Sequence, residues 1–481
     1  MLISKGYLLP HAPVFIGSVG GEQSLLVQKS IDAYHKVADE IAEFKPDLIV
    51  VISPHGPVFT DAIALYDLDE YTGNFRAFGD FESDYKFQKD ELMLNKLYEE
   101  SQMSSGSFYA LKPNEFIKFQ YKPELDHGVL VPLHFINQKY HDFKVLAMSY
   151  GSLSYSELMK NGKIMHDVIT KSYQNVVVIA SGDMSHALKS DGPYTFHEDG
   201  VIFDHEMCEY IENQRPYEIF RLESKTISNA AECGLRSLSM LLGCMNKYDL
   251  KSELISYEAP FGVGYLFASY EVVSESDKDE REDYIAFEKR RYEALKLKEH
   301  TVVKLARQTI EYYINNNRKP IVGYKDKAVE INNVVFSNDI IEKLLEGKYG
   351  VFVSIKLHGN LRGCIGTIFP TQKNGVEEIV KNSISACARD YRFDPLTFEE
   401  LQDIIINVDI LSPLALVSDI TLLDPRIYGV VVSHKDRMGV LLPDIEGITT
   451  IEEQLTIASN KGGFNVDEIE KIESFTVERY F

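Results

Sequence analysis

The stretch Asp47–Gly56, DLIVVISPHG, predicts the fold of the first half of the chain. Five apolar residues in a row, Leu48 to Ile52, are typical of a β-strand that is buried on both faces. The run stops at His55, which lies between a proline and a glycine, and this pattern indicates a strand end and a tight turn. Ligands of open α/β sheets bind beyond the carboxyl ends of the strands, so His55 occupies a favourable position for chemistry.

Two more histidines follow predicted strands in the same way. His11 comes after the predicted strand at residues 3–9, and His186 comes after the one at residues 175–180. A helical pattern over residues 24–44 precedes Leu48, and the order strand, helix, strand is the unit of a parallel sheet. We therefore expect an α/β domain with a central, mostly parallel sheet that is flanked by helices.

Composition limits the class of protein. The chain has 481 residues, which is too many for one hydrophobic core, so two or more domains are expected. A net charge of -23 argues against nucleic acid or an anionic membrane as the main partner. The scattered cysteines form no CxxC pair, and neither a signal peptide nor a membrane span is recognisable. A cytoplasmic protein with reduced thiols is expected.

A change in character along the chain predicts the domain boundary. The segment SESDKDEREDYIAFEKRR, residues 274–291, is dense in charge. We expect a first domain over residues 1–273, a charged linker over 274–295 and a smaller α+β domain over 296–481. Within the second domain, LRGCIGT at residues 361–367 is expected in a turn-rich setting because of its glycines.

Strand-end histidines indicate a metal site. Two histidines and one carboxylate, with positions left open, are typical of non-haem ferrous oxygenases. Glu258 is the preferred carboxylate because it lies in an apolar strand–turn region, where a buried charge needs a partner. Asp183 and Glu232 are alternative carboxylates, and Cys233 is an alternative soft ligand. Each residue also has a structural interpretation: a hydrogen-bonded histidine, a surface glutamate, or an aspartate that caps a helix.

The motifs PHAP, SPHG, DHGVLVPL, SGDMSH and SYEAPFGVGY, in this order, resemble the class III extradiol ring-cleaving dioxygenases over roughly residues 1–273. They are also similar to the MEMO proteins, which share that fold but lack the carboxylate ligand. The resemblance implies Fe²⁺ or another divalent metal, a small catechol-like aromatic substrate and O₂. It implies that His11, His55 and Glu258 bind the metal. His186 would be the acid/base, and His127 would lie beside the oxygen-binding position.

The second domain resembles the AMMECR family from about residue 296 to the end, through LRGCIGT and ACARDYRFDPL. Cys364 is close in sequence to Arg362, and a neighbouring guanidinium favours the reactive thiolate. The alternative is a buried, inert cysteine. Arg389 and Asp390 are expected to form a structural ion pair, with an anion site as the alternative.

The fusion of the two domains resembles the protein A family of the AmmeMemoRadiSam system, which implies a MEMO-like protein and a radical SAM enzyme as partners. Two functions follow. The first is a non-haem Fe(II) oxidoreductase of the extradiol ring-cleavage type. The alternative is a non-catalytic metal- or ligand-binding module whose AMMECR domain docks a partner. Glu258 distinguishes them, because without it the site is similar to the MEMO form.

Overall fold

The computed structural model divides the chain into two compact units, Met1–Glu288 and Lys289–Phe481. It describes residues 5–173, 175–357, 360–445, 448 and 450–481. The first two residues of the predicted strand 3–9 lie outside these ranges. Among the described residues, no helix is both long and apolar enough to cross a membrane.

The first unit is built on a mixed sheet with the strand order β6-β3-β7-β2-β8-β1-β10-β9, and β4 pairs separately with β5. Its described strands are β1 (Lys5–Leu9), β2 (Leu48–Ser53), β3 (Ile63–Tyr66), β4 (Tyr71–Asn74), β5 (Asp84–Phe87), β6 (Phe108–Leu111), β7 (Lys144–Ser149), β8 (Val176–Ser181), β9 (Tyr248–Glu258) and β10 (Tyr265–Glu275).

Helices cover both faces of this sheet, as the sequence predicts. They are α1 (Gly17–Gly20), α2 (Gln28–Phe44), α3 (Glu91–Met103), α4 (Pro113–Lys118), α5 (His127–Asn137), α6 (Tyr155–Ile169), α7 (Glu198–Glu212), α8 (Ser224–Ala230), α9 (Leu235–Cys244) and α10 (Glu280–Lys298). Short 3-10 helices lie at Pro13–Phe15, Gly21–Val27, Arg76–Phe78 and Pro216–Arg221.

The centre of the sheet is parallel and its edges are mixed. β2 pairs in parallel with β7 and β8, and β8 pairs in parallel with β1. β10 runs antiparallel to β1 and β9, and β3 runs antiparallel to β7. The central strands therefore present their carboxyl ends at one edge of the sheet.

The apolar run of β2 fills two cores. Leu48, Val50 and Ile52 belong to a cluster that includes residues of α6 and α9, whereas Ile49 and Val51 belong to one that includes residues of α2 and α5. All five side chains are fully buried. The uninterrupted apolar sequence thus reflects a strand with helices packed on both faces.

The predicted linker is ordered in the structure. It contains the end of β10 and most of α10, and the two halves of this helix make different contacts. Arg281 donates from Nε to the carbonyl of Ser156 in the first unit, at 2.9 Å. Lys296 donates from Nζ to the carbonyl of Leu401 in the second unit, at 3.4 Å. The many charged residues of this segment are therefore typical of the surface of a helix.

The second unit has an α+β architecture, as predicted, with the sheets β11-β12-β13, β15-β14-β16-β21 and β17-β20-β18-β19. Its described elements are α11 (Thr301–Asn316), β11 (Val322–Lys325), β12 (Ala328–Ile331), β13 (Val334–Phe336), α12 (Asp339–Glu346), β14 (Val351–Leu357), β15 (Asn360–Thr367), α13 (Gly375–Ala388), β16 (Ile404–Leu411), β17 (Ala415–Leu416), β18 (Gly429–His434), β19 (Arg437–Leu441), α14 (Ile451–Gly462), β20 (Lys471–Phe475) and β21 (Val477–Tyr480), with 3-10 helices at Glu399–Gln402, Ile420–Leu422 and Val466–Glu468.

The expectation of a turn-rich setting for LRGCIGT is wrong, because this segment forms β15, which pairs antiparallel with β14. Its glycines permit close packing. A Cβ at Gly363 would lie 2.2 Å from the carbonyl oxygen of Ala386 in α13, and one at Gly366 would lie 2.1 Å from the ring of Phe352. Glycine in this strand marks a close approach of neighbouring groups.

A buried carboxylate of α7 supports the loop that follows β8. Asp204 accepts hydrogen bonds from the backbone N–H of Ser185, at 2.8 Å, and from the hydroxyl of Tyr257, at 2.7 Å. A Cβ at Gly264 would lie 2.0 Å from its Oδ2. Burial raises the pKa of Asp204 to about 7.

This raised pKa makes the folded state bind a proton that the unfolded chain releases. The pKa rises from an ordinary 3.8 to about 7. The resulting stability is therefore complete below the unfolded pKa and is lost as the pH rises through the folded pKa. We predict that Asp204→Asn flattens the pH dependence of urea unfolding between about pH 4 and pH 7. Asp32→Asn, at an exposed position of α2, is the control and should leave that dependence unchanged.

The two units should fold separately if the chain is divided within α10. The ring of Tyr284 packs against the rings of Tyr155 and Phe220, and Asp279 accepts from the side-chain amide of Asn246 at 2.8 Å. We predict that residues 1–288 and 289–481, expressed separately, each unfold cooperatively in urea. The shorter fragment 1–275 should lose roughly 1–3 kcal/mol because these contacts are missing. Equal stability of the two N-terminal fragments would contradict this assignment.

Candidate metal centre

Three neighbouring strand ends meet at one edge of the first unit's sheet. β8 lies between β1 and β2, so the loops that follow these three strands are adjacent. His11 follows β1 and His55 follows β2, and their Nε2 atoms lie 2.8 Å apart. The structure thus brings together the two histidines that the sequence proposed as metal ligands.

The hydrogen bonds of His11 determine where its proton resides. Ser181 Oγ donates its only proton to the carbonyl of Gly128, at 2.6 Å. It must therefore accept from His11 Nδ1, at 3.0 Å. His11 then carries its proton on Nδ1, and the lone pair on Nε2 faces His55. This is the tautomer that a metal ligand requires.

His127 lies beside this pair at the start of α5. Its ring centroid is 3.9 Å from that of His55. Asp126, the N-cap of α5, accepts from the hydroxyl of Ser53 at 2.5 Å and from that of Tyr66 at 2.7 Å. Because Ser53 ends β2, these bonds fix the helix start against the strand end. The ligand atoms of His11, His55 and His127 lie within 4.8 Å of one another.

Burial keeps this cluster uncharged. It lowers the pKa of His11 well below the ordinary value and also lowers that of His55, and the imidazole of His55 adds to the effect on His11. Burial and His55 lower the pKa of His127 to about 4. Neutral imidazoles at pH 7 have the lone pairs that a divalent metal binds.

Asp183 and Cys233 complete a second group around His11. The Nε2 atom of His11 lies 3.8 Å from Asp183 Oδ2 and 3.8 Å from Cys233 Sγ. The backbone N–H of Asp183 donates to Cys233 Sγ at 3.2 Å. Burial raises the pKa of Asp183 to about 7 and that of Cys233 well above its ordinary value. A bound cation would oppose both shifts, because it stabilises the carboxylate and the thiolate.

A contact between two glycines lets the segment of Cys233 reach the end of β8. A Cβ at Gly182 would lie 2.1 Å from the Cα of Gly234. The connection between α8 and α9 therefore packs its backbone directly on the loop after β8. From the sequence, Asp183 and Cys233 are only alternatives to Glu258 as metal ligands. Cys233 follows no predicted strand, so no strand end indicates its position.

Glu258 has a different environment. At the end of β9, its Oε1 accepts from the backbone N–H of Ser30 at 2.8 Å and from the Ser30 hydroxyl at 2.6 Å. β10 separates β9 from β1, which places the ends of these two strands about 10 Å apart. Among the described residues, Glu258 belongs to neither group of converging ligand atoms. As a metal ligand, Glu258 stays a prediction.

His186 lies at the margin of the cluster, in the loop after β8. Its backbone N–H donates to the carbonyl of Ala230 at 2.9 Å, and its ring meets that of Tyr194 edge-on at 5.9 Å. Burial lowers its pKa, and His55 contributes to the effect. A neutral, half-buried imidazole close to the paired histidines is suited to accept a proton.

In the second unit, Cys364 lies in a network of hydrogen bonds. Its Sγ accepts from Ser354 Oγ at 3.1 Å, and its N–H donates to Asp390 at 2.9 Å. The ion pair predicted between Arg389 and Asp390 is wrong, because Asp390 pairs with Arg392, at 2.7 Å. Hydrogen bonds from Arg392 lower the pKa of Asp390 to about 2. The cation that pairs with Asp390 is therefore Arg392, in the turn after α13, and not the adjacent residue Arg389.

The guanidinium of Arg362 is directed to other acceptors than the thiol. Its Nε donates to Glu400 at 2.6 Å, and its Nη1 donates to the carbonyl of Asp394 at 2.7 Å. These bonds hold the segment that follows α13 against β15. Although Arg362 is close to Cys364 in sequence, its guanidinium makes no hydrogen bond to the Cys364 thiol among the described contacts.

Comparison with known proteins agrees with the family resemblance predicted for each half of the chain. Residues 5–268 match the family described as the catalytic LigB subunit of aromatic ring-opening dioxygenase, and residues 303–480 match AMMECR1. The chain is 35% identical over 484 residues to protein CA_C1420 of Clostridium acetobutylicum, a match that covers 100% of this chain and 99% of that protein.

Two further matches cover smaller shares of the chain. A protein of Thermotoga maritima is 45% identical over 184 residues, which is 38% of this chain and 98% of that protein. A solved structure, the uncharacterized protein PH0010 from Pyrococcus horikoshii, aligns with 27% identity and a TM-score of 0.30 over 37% of this chain and 88% of that chain. From the matches over its length, the chain belongs to the family of the catalytic LigB subunit of aromatic ring-opening dioxygenases, here joined to a C-terminal AMMECR1 domain.

Proposed function

We propose that this chain is a metal-dependent oxidoreductase of the extradiol type, which opens the ring of a small catechol-like substrate with O₂. The main support is the pair of Nε2 atoms of His11 and His55, which lie 2.8 Å apart beyond the ends of β1 and β2, the two strands that flank β8 in a LigB-family fold. Buried, neutral imidazoles that converge in this way are a donor set suited to a first-row divalent metal.

His11 and His55 would hold the metal, which we propose to be Fe²⁺. Asp183 and Cys233 would be the candidates for a third protein ligand, because Asp183 Oδ2 and Cys233 Sγ each lie 3.8 Å from His11 Nε2, and Glu258 is the alternative. Bound iron would supply a template and an electron path between the diol and O₂. Ser181 would keep the Nε2 lone pair of His11 available by accepting a hydrogen bond from its Nδ1–H.

The other histidines would act on the substrate. His186, neutral at pH 7 because burial lowers its pKa, would accept a proton from the diol and return it later. His127, held against His55 by the cap of α5, would present a ring N–H to the oxygen side of the site. The rigid strand ends and the helix cap would preserve the spacing of these rings.

A binding module without turnover is the competing function. It is favoured by the hydrogen bonds between Glu258 and Ser30, which leave the carboxylate outside the two ligand groups of the described chain. The AMMECR1 domain would then dock partners, for which a MEMO-like protein and a radical SAM enzyme are our candidates. Anaerobic metal analysis, followed by oxygen uptake with a panel of catechols, separates the two functions. Retained metal without oxygen uptake would favour the module.

The ligand assignment predicts how metal content responds to substitution. His11→Ala and His55→Ala should each lower metal affinity by at least about 10-fold, because each removes a direct nitrogen ligand. Cys233→Ser should also lower it, whereas Glu258→Gln should retain the metal because its hydrogen bonds are to Ser30. Metal content after anaerobic purification measures this. Full metal content in the His11→Ala/His55→Ala double variant would contradict the site.

A different outcome is expected for His186. His186→Gln should keep the metal and reduce oxygen uptake by roughly 10²–10⁴-fold, which is the usual contribution of a general base. His141→Gln, at an exposed position after α5, is the control and should retain the uptake. Loss of metal in His186→Gln would instead identify His186 as a ligand.

A further inference from the structure

Cys364 differs from the other cysteines of the chain in its surroundings. Burial raises the pKa of the four other thiols, which keeps them protonated at pH 7; these are Cys208, Cys233, Cys244 and Cys387. The attacking species in thiol chemistry is the thiolate, which burial disfavours at those four positions. Cys364 is partly exposed in β15, the edge strand of its sheet, and is therefore the candidate for a reactive thiol.

The side chain of Cys364 lies on the face of the sheet that is opposite to α13. Gly363, the residue before it, faces α13, so Cys364 points to the other face, which we call the outer face. The register pairs Cys364 with Ser354 of β14 and Ser354 with Asn407 of β16, so these three side chains share the outer face. Ser354 Oγ donates to Cys364 Sγ at 3.1 Å. This hydrogen bond holds the sulfur on the outer face.

A buried carboxylate fixes one guanidinium beside Cys364. Arg392 donates from Nε and Nη2 to the two carboxylate oxygens of Asp390, at 2.9 and 2.7 Å. The same pair binds the backbone of Cys364, because Asp390 accepts from its N–H at 2.9 Å and Arg392 Nη2 donates to its carbonyl at 3.0 Å. The aspartate side chain is 2% exposed, whereas the arginine side chain is 43% exposed. The pair therefore presents its positive half to solvent, next to the residue that carries the thiol.

A second pair repeats this arrangement on the outer face. Asp409 lies two residues after Asn407 in β16, and Arg479 of β21 donates to its two oxygens from Nε at 2.9 Å and from Nη2 at 3.0 Å. The aspartate side chain is 6% exposed and the arginine side chain is 41% exposed. Hydrogen bonds to its aspartate raise the pKa of each of the two arginines, and Cys364 makes a smaller contribution to both shifts. Both guanidiniums are therefore within electrostatic reach of Cys364.

Both arginines keep a donor group for a ligand. Within the described residues, the hydrogen bonds of Arg392 and Arg479 use Nε and Nη2, and none uses Nη1. Pairing through two oxygens fixes the plane of each guanidinium, so less side-chain entropy is lost when an anion binds to it. Carboxylates are acceptors that match such donors. The surroundings of Cys364 thus favour an anionic ligand, although the whole chain carries a net charge of -23.

We propose that Cys364 is a thiol–disulfide exchange site that selects small disulfides carrying carboxylates. Arg392 and Arg479 would bind the carboxylates. The thiol releases its proton to solvent, and the thiolate attacks one sulfur of the bound disulfide. A bond forms between Sγ and that sulfur, the disulfide bond breaks, and its electron pair leaves with the second sulfur as a free thiolate. The small disulfide is itself the oxidant, and the step does not involve the candidate metal centre.

The test measures the rate at which Cys364 of the full-length protein forms a mixed disulfide, followed by mass spectrometry of protein digests. The probes are the dianionic dithiobis(nitrobenzoate) and the neutral dithiodipyridine. The preference is the ratio of the two rates, divided by the same ratio for a neutral model thiol, N-acetylcysteine amide. We expect a preference for the anionic probe of at least about 10-fold at low salt, which is the lower end of electrostatic steering. It should decline as added salt screens the charges.

Paired substitutions test the role of the guanidiniums. Asp390→Asn/Arg392→Gln removes a cation together with its buried partner, so no unpaired charge is left in the fold. This variant should lose most of the preference. Asp424→Asn/Arg426→Gln is the matched control and should retain it. Arg426 pairs through two oxygens with Asp424, also two residues earlier, and its hydrogen bonds among the described residues do not include Cys364.

Several results would overturn the proposal. The first is a preference of about one in the wild-type protein at low salt, which needs no variant and therefore decides even if a variant fails to fold. The second is an unchanged preference in folded Asp390→Asn/Arg392→Gln or in folded Asp409→Asn/Arg479→Gln. The third is formation of mixed disulfides at other cysteines while Cys364 stays a free thiol. Because the net charge of the chain repels the dianionic probe, a preference for this probe identifies a local cause.

Discussion

The parallel pairing of β8 with both β1 and β2 is the constraint on which the candidate site depends. It aligns three carboxyl ends at one edge of the sheet, so the loops that carry His11, His55 and Asp183 must be neighbours. Burial of β2 on both faces protects this register, because a slip of one residue would exchange the side chains of the two cores. The chemistry of the site is thus a consequence of the sheet's core.

Burial acts on the ionisable groups of this site in one direction, toward their uncharged forms. It lowers the pKa of the imidazoles and raises that of Asp183 and of Cys233. This cluster of side chains is poor in charge but rich in lone pairs, although the whole chain carries a net charge of -23. A cation could convert these groups to ligands, because it stabilises the carboxylate and the thiolate.

Much of the fold and part of the site could be predicted from the sequence. Apolar runs that stop at His11 and His55 locate strand ends, because local sequence determines where a strand stops. Cys233 has no such signal, since the connection between α8 and α9 brings it in through the glycine contact of residues 182 and 234. Two expectations for the second unit are wrong. The glycines of LRGCIGT accommodate α13 and Phe352, which only tertiary packing reveals. Asp390 pairs with Arg392, two residues further along the chain, in the local turn after α13.

The position of β1 in the sheet affects the order of events during synthesis. This strand leaves the ribosome before its neighbours β8 and β10, which end only at residues 181 and 275. At ordinary translation rates, β1 therefore waits roughly 10–30 s for its first partner. Throughout that interval the nascent chain exposes an unpaired apolar strand edge and cannot assemble the ligand cluster. The candidate metal site can form only after most of the first unit has been made, which couples assembly of this site to the completion of its domain.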